Sequence, residues 1–181
     1  MYGECGGVTF SGGEPILQSA SLLELFKRLK EKEINIAIET SLYTNKKYLE
    51  EIIDYVDLFI VDIKILDAIE SKKIINGDLN NYLSNIDYIF TKNKKVIFRI
   101  PLIKPYITNE KNLHSIYGLL KKYKPIKVEI FKGHNLAKEK YAKLNLNYNK
   151  VNTIGDDEIE NIKNKIKDLD IDVEIISFWY Y

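Results

Sequence analysis

Near its beginning the chain reads Gly6-Gly7-Val8-Thr9-Phe10-Ser11-Gly12-Gly13-Glu14-Pro15. The apolar residues from Val8 to Phe10 favour a strand, and the two glycines, the acid and the proline that follow favour a tight turn. Because Gly12 and Gly13 lack a Cβ atom, the backbone of this turn can come close to a ligand. Glu14 then stands at the edge of the turn as an acceptor for a cationic group. Farther on, Ser21-Leu22-Leu23-Glu24 has the pattern of a capping box, which predicts that a helix begins there.

The bulk properties predict a single domain over residues 1–181. Hydrophobic residues make up 45% and charged residues 29%, an ordinary globular composition. The net charge is +1, which argues against a dedicated nucleic-acid-binding protein. The sequence shows neither an apolar run as long as a membrane span nor the apolar core of a signal peptide, so we expect a cytoplasmic protein.

The chain contains a single cysteine, Cys5. One thiol cannot form a disulfide within one chain, and it cannot build a cysteine-based metal site by itself.

Short apolar runs alternate with stretches of helical periodicity along the whole chain. The predicted strands are Val8–Ser11, Asn35–Ile38, Leu58–Val61, Lys95–Ile103, Lys127–Phe131 and Val173–Ile176. Repeated strand–helix units imply right-handed crossovers and parallel strands. Such a chain forms either an open doubly wound sheet or an arc of a β/α barrel, and in both folds ligands bind at the carboxyl ends of the strands.

Polar and charged side chains stand at the ends of five predicted strands. They are Glu14, Glu39-Thr40-Ser41, Asp62-Ile63-Lys64, Arg99 and Lys132-Gly133-His134. Each by itself could be a solvated loop residue. Because parallel strands end at one edge of the sheet, we expect these groups to lie together around one opening.

Several motifs resemble those of the radical S-adenosylmethionine (radical SAM) enzymes that activate glycyl radical enzymes, the pyruvate formate-lyase activating enzyme family. The string GGVTFSGGEPILQ, at residues 6–18, carries the strongest resemblance. The segments Asp62-Ile63-Lys64-Ile65-Leu66-Asp67 and Phe98-Arg99-Ile100-Pro101 resemble two further motifs of that family. The chain departs from the family pattern at Leu42, where a glycine is usual, at Lys104-Pro105-Tyr106 and at Lys132-Gly133.

The resemblance implies site residues for S-adenosylmethionine. Gly12, Gly13 and Glu14 would meet its amino group, and Asp62 and Lys64 would meet its ribose and carboxylate. His134 would line the methionine or ribose side. Glu39 and Thr40 would stand where the family binds a monovalent cation beside the cofactor.

The resemblance also implies the fold and the reaction. The fold would be α/β, a partial (β/α) barrel of the radical SAM type with parallel strands and outer helices. The enzyme would use S-adenosylmethionine and a [4Fe–4S] cluster to generate a 5′-deoxyadenosyl radical, which abstracts a glycine Hα from a partner glycyl radical enzyme of the pyruvate formate-lyase kind.

The cluster motif C-x₃-C-x₂-C does not occur in the sequence. We therefore expect a C-terminal part of an activating enzyme whose first β/α unit is missing. Such a chain would hold no cluster, would be inactive by itself, and would bind S-adenosylmethionine weakly or not at all.

Two further expectations concern partners. A sheet edge exposed along the Val8–Ser11 strand would favour self-association, because bare edges tend to be paired or covered. The alternatives to an activating enzyme are a non-catalytic binding or regulatory relative that docks a partner protein, and a radical SAM maturase of another kind. The sequence does not single out which glycyl radical enzyme would be the partner.

Overall fold

The structure, a computed structural model, describes residues 6–133, 138–147 and 152–176. Within them, one sheet of six strands forms the centre of the fold. The strands are β1 (Gly7–Phe10), β2 (Asn35–Thr40), β3 (Leu58–Asp62), β4 (Lys95–Leu102), β5 (Lys127–Lys132) and β6 (Val173–Ile176).

The helices connect successive strands. They are α1 (Ser19–Glu31), α2 (Lys46–Ile52), α3 (Ala68–Ile75), α4 (Leu79–Thr91), α5 (Glu110–Tyr123), α6 (Lys138–Lys143) and α7 (Asp156–Lys167). Short 3₁₀ turns at Pro15–Gln18 and Ile53–Tyr55 flank α1 and α2. Among the described residues, no helix is both long enough and apolar enough to span a membrane.

The sheet is parallel, and its strands lie side by side in the order in which they occur in the chain. Right-handed crossovers that always step in the same direction place their helices on one face of the sheet. A doubly wound sheet would require the strand order to reverse at some point. The predicted arc of a (β/α) barrel is therefore confirmed.

The helix-covered face of the sheet forms the hydrophobic core. Strand residues of this face alternate with those of the opposite face, as the period of a strand requires. The residues Ile36, Ile38, Phe59, Val61, Phe98 and Ile130 are all fully buried. They belong to one apolar cluster with helical residues such as Phe26, Leu49, Leu120 and Ile166. The opposite, concave face carries the polar side chains described below.

The start of α1 differs from the sequence prediction. The helix begins at Ser19, after the 3₁₀ turn, so Ser21 lies inside it and the predicted capping box at Ser21–Glu24 is wrong. Pro15 fixes the first residue of the 3₁₀ turn, and the Glu14 side chain caps that turn by accepting a hydrogen bond from the Ile16 N–H. The residue that caps the helical segment, Glu14, therefore lies seven positions before the predicted cap at Ser21.

Candidate functional site

The glycine turn after β1 is open toward solvent. Gly12 has a φ of +83° and Gly13 a φ of +54°, values in the left-handed region that favours glycine. A Cβ atom built on either residue would meet no atom within 4 Å. Backbone conformation therefore demands these glycines, and the space beside them leaves the main chain accessible to a ligand.

Glu14 joins this turn to the end of β2. Its Oε1 accepts a hydrogen bond from the Thr40 hydroxyl at 2.6 Å and a longer one from the Ile16 N–H at 3.3 Å. Its Oε2 accepts from the Ser41 N–H at 2.8 Å and from the Ser41 hydroxyl at 2.6 Å. A carboxylate offers about four lone-pair positions, so the protein itself already occupies those of Glu14. Glu14 consequently contributes negative charge at the opening while its oxygens hold the neighbouring turn.

Leu42 keeps the backbone conformation that a glycine would favour. Its φ is +57°, and its side chain is fully buried. The Leu42 N–H donates to the Thr40 hydroxyl at 2.9 Å, and its carbonyl accepts from the Asn85 amide at 3.0 Å. The departure from the family motif thus leaves a left-handed turn here and adds an apolar side chain to the core.

Asp62 and Lys64 lie at the end of β3 and form an ion pair with 3.3 Å between the Lys64 Nζ and the Asp62 Oδ2. Their side chains are 25% and 33% exposed, so both can still reach a ligand. Burial raises the pKa of the Asp62 carboxyl above its usual value; Lys64 offsets part of this effect, and the negative charge of Glu14 adds to it. The buried Tyr82 hydroxyl donates to the Asp62 backbone carbonyl at 3.1 Å.

Charged side chains form a network across the concave face of the sheet. Arg99 on β4 pairs with Glu39 on β2, and its Nε donates to Glu129 on β5 at 2.6 Å. Ser11 donates its hydroxyl to Glu39 at 2.6 Å, and Lys127 lies 2.8 Å from Glu129. Burial alone would raise the pKa of Glu129, but Lys127 and Arg99 outweigh it and hold that pKa below its usual value.

This network affects the expected cation site at Glu39 and Thr40. The Glu39 carboxylate lies against the Arg99 guanidinium, and the Thr40 hydroxyl donates to Glu14. A cation at this place would compete with the guanidinium for the same carboxylate. The monovalent-cation site stays a prediction.

Three of the segments predicted from the sequence meet at one edge of the sheet. We call this edge the carboxyl rim and define it by residues 12–14, 40–42 and 62–64. Hydrogen bonds from Thr40 and Ser41 to Glu14 join the first two segments. Thr40 on β2 pairs with Val61 on β3, which places the third segment beside the second. His134 lies outside the described residues.

Sequence reasoning missed several residues that support the rim. Tyr82, Asn85 and Asn112 lie on helices, and their side chains hydrogen-bond to rim backbone or to the residues next to it. Nothing in the local sequence marks them, because their partners are 20 to 48 positions away in the chain.

Comparison with known proteins identifies the family. A profile of the Radical SAM superfamily matches residues 1–116 of the chain. The chain belongs to the radical SAM superfamily. The radical SAM membership that the motifs implied is thereby confirmed, and the arc of parallel strands agrees with it.

The similar curated proteins are activating enzymes of glycyl radical enzymes. The chain is 36% identical over 149 residues to the pyruvate formate-lyase-activating enzyme of Clostridium pasteurianum, an alignment that covers 79% of this chain and 60% of that protein. It is 31% identical over 150 residues to the 4-hydroxyphenylacetate decarboxylase activating enzyme of Clostridium scatologenes, with coverages of 81% and 48%. The chain thus spans roughly half the length of these curated relatives.

Solved structures share the fold. A domain of a pyruvate-formate lyase-activating enzyme from Bacteroides vulgatus superposes with a TM-score of 0.78 at 24% identity and covers 94% of this chain and 99% of that one. Streptococcus suis SuiB bound to S-adenosylmethionine superposes with a TM-score of 0.70 at 14% identity and covers 97% of this chain and 40% of that one. At these identities the similarity concerns the fold alone.

Proposed function

We propose that this chain carries the S-adenosylmethionine-binding rim of an enzyme that activates a glycyl radical enzyme. The observation that supports the proposal is the meeting of residues 12–14, 40–42 and 62–64 at the carboxyl ends of parallel strands. Ligands of parallel α/β folds bind at this end. The names of the similar curated proteins supply the reaction class.

The rim suits a zwitterionic sulfonium ligand. Its carboxylate would meet the Lys64 ammonium, and its ribose hydroxyls would find acceptors at Asp62. Because the oxygens of Glu14 are occupied, the ligand's amino group would bind backbone carbonyls of the open turn at Gly12 and Gly13, with the charge of Glu14 close by. Groups held in place before the ligand arrives lose less entropy on binding, which is the advantage of building the rim from strand ends.

In radical SAM enzymes the bound cofactor, reduced by an iron–sulfur cluster, supplies the radical chemistry, and the protein orients it and excludes water. This chain's residues do not fit the cluster. Iron–sulfur clusters are held by several cysteine thiolates, whereas the sequence contains one cysteine. The part of the chain that the structure describes also has no group of three or more His, Cys, Asp or Glu able to hold a metal ion. We therefore propose that this chain alone binds no cluster and has no activating activity.

The proposed partner is a glycyl radical enzyme. The similar proteins carry the names of activators for pyruvate formate-lyase, 4-hydroxyphenylacetate decarboxylase and choline trimethylamine-lyase. These targets differ among relatives whose identity to this chain is similar. We therefore propose only the class of the partner, a glycyl radical enzyme, and not a particular enzyme of that class. The cytoplasmic location expected from the sequence stays a prediction.

The proposal is tested by titrating ¹⁵N-labelled full chain with S-adenosylmethionine and following the backbone amide resonances. We expect weak binding, with a dissociation constant on the order of 1 mM, because no iron chelates the amino acid part. The resonances that shift should belong to residues 12–14, 40–42 and 62–64.

Matched lysine variants sharpen this test. Lys64→Gln should weaken binding about tenfold, the effect of losing one charged contact of roughly 1.4 kcal/mol. Lys111→Gln is the control, because Lys111 is 80% exposed and pairs with Asp67, outside the rim. A non-catalytic binding module, the alternative reading of the sequence, predicts no rim shifts at ~10 mM ligand. That result, or equal effects of the two variants, would contradict the proposal.

A further inference from the structure

Three buried polar side chains reach from the helical layer to the backbone of the strand-end loops. Tyr82 and Asn85 lie three residues apart on one side of α4, and Asn112 lies in the first turn of α5. Tyr82 and Asn85 are completely buried, and Asn112 is 5% exposed. Buried polar groups need hydrogen-bond partners, and these three find them in the main chain next to or within the rim.

Asn85 holds the turn that follows β2. Its Nδ2 donates to the Leu42 carbonyl at 3.0 Å and to the Thr44 carbonyl at 2.9 Å. The same turn carries Thr40 and Ser41, whose hydroxyls donate to Glu14. The Asn85 amide therefore holds the backbone of the turn, and the hydroxyls of the adjacent Thr40 and Ser41 orient the Glu14 carboxylate.

Asn112 holds the loop that follows β3. Its Nδ2 donates to the Lys64 carbonyl at 2.9 Å, and its Oδ1 accepts from the Leu66 N–H at 2.8 Å. The second proton of the Nδ2 group is donated to the Ile107 carbonyl at 3.0 Å, in the loop after β4. Both N–H groups of the amide and its oxygen are therefore used. The backbone on either side of Ile65, at Lys64 and Leu66, is bonded to α5 through Asn112, and the same side chain connects it to the loop after β4.

We propose that Tyr82, Asn85 and Asn112 are positioning residues of the carboxyl rim. Asn85 would set the half of the rim that faces the ligand's amino group. Asn112 would set Lys64, which faces the ligand's carboxylate, and Tyr82 would set Asp62, which faces its ribose. This inference rests on the proposed function for the identity of the ligand. The positioning itself rests on the hydrogen bonds and can be measured without any ligand.

The first test is amide hydrogen exchange on the ligand-free full chain, which reports local opening. Asn85→Ala should accelerate exchange at the Ser41 and Leu42 amides and leave Leu66 unchanged. Asn112→Ala should accelerate Leu66 and leave Ser41 and Leu42 unchanged. The control is Lys94→Met, because the Lys94 Nζ donates to the Asp54 and Val56 carbonyls just before β3, at the end of the strands opposite the rim.

The second test compares two probes, S-adenosylmethionine and 5′-methylthioadenosine, which lacks the amino acid part. Asn85→Ala and Asn112→Ala should each weaken S-adenosylmethionine binding about tenfold and leave 5′-methylthioadenosine within about twofold, because the second probe has neither the amino group nor the carboxylate. The initial slope of the resonance shift against concentration gives these ratios even without saturation. A general loss of stability would not separate the two probes.

A gentler variant covers the case in which an alanine variant fails to fold. Tyr82→Phe keeps the ring and removes only the hydroxyl that donates to the Asp62 carbonyl. It should accelerate exchange around Asp62 and weaken both probes about threefold.

The outcomes for the two proposals are separable. Folded variants whose rim amides exchange as in the original chain would overturn the positioning role, whatever the ligand does. Absence of rim shifts in the original chain would overturn the proposed function while the exchange measurements still decide on positioning.

Discussion

At Leu42 we expect a glycine variant to be more stable than an alanine variant, the reverse of the usual order at a buried position. The side chain is fully buried while the backbone has a φ of +57°. Truncating a buried leucine to alanine costs about 2–5 kcal/mol, and alanine retains the left-handed strain of roughly 1–2 kcal/mol. Glycine loses one further methyl equivalent, worth about 0.8 kcal/mol, but it relieves that strain. We therefore expect Leu42→Gly to be more stable than Leu42→Ala by about 0.2–1.2 kcal/mol.

The control is Leu49, an equally buried leucine within α2. At a helical position glycine is about 1 kcal/mol worse than alanine, and the lost methyl adds about 0.8 kcal/mol. The unfolding free energy of the Gly variant minus that of the Ala variant should thus be positive at position 42 and negative at position 49. The two values should lie about 2–3 kcal/mol apart. Urea unfolding of the four variants measures it. Equal differences at both sites would refute the claim that Leu42 is strained.

Further predictions concern charge, the sheet edge and iron. The pKa of Glu129 is lowered, so Glu129→Gln should reduce the free energy of unfolding by about 2 kcal/mol at neutral pH. This loss should shrink as the pH falls from 4.5 through the lowered folded pKa. A difference in unfolding free energy between the two proteins that is the same at all pH values would contradict this. The pKa of Asp62 is raised, so stability should fall as the pH rises from 3.8 to the folded pKa, and Asp62→Asn should remove that fall in the same measurement. Within the described residues β1 pairs only with β2, which leaves its other edge open, and Val8 on this strand is 37% exposed. Sedimentation should therefore show self-association, and Val8→Lys should weaken it. A monomer at high concentration would count against this prediction. Anaerobic reconstitution of this chain should give no stoichiometric iron and sulfide, and thiolate-to-iron absorption would overturn that expectation.

The succession of strands and helices and the location of the rim could be predicted from the sequence because they depend on local pattern, whereas the choice of a barrel arc over a doubly wound sheet came from the family resemblance. Runs such as Leu58–Val61 are apolar throughout, as in strands buried on both faces, and polar residues follow them directly. Parallel topology then brings the strand ends together without knowledge of any contact. The start of α1 was mispredicted because Pro15 and the Glu14 cap initiate the helical segment before the more familiar serine signal.

The internal connections of the rim could not be predicted in this way. Sequence reasoning treated Glu14 and Glu39 as groups available to ligands, whereas the structure engages one with Thr40 and Ser41 and the other with Arg99. The Leu42 carbonyl accepts a hydrogen bond from Asn85, 43 positions away. Such pairings are set by how helices pack on the sheet, and no local periodicity reports them.

The account depends most on where the sulfonium ligand binds. A crystal structure of the full chain soaked with S-adenosylmethionine at high concentration would show this directly. We predict ligand density at the carboxyl rim, with the amino group at the Gly12–Gly13 backbone and the carboxylate at Lys64. Density at the opposite end of the strands, or against the outer helices, would contradict the account.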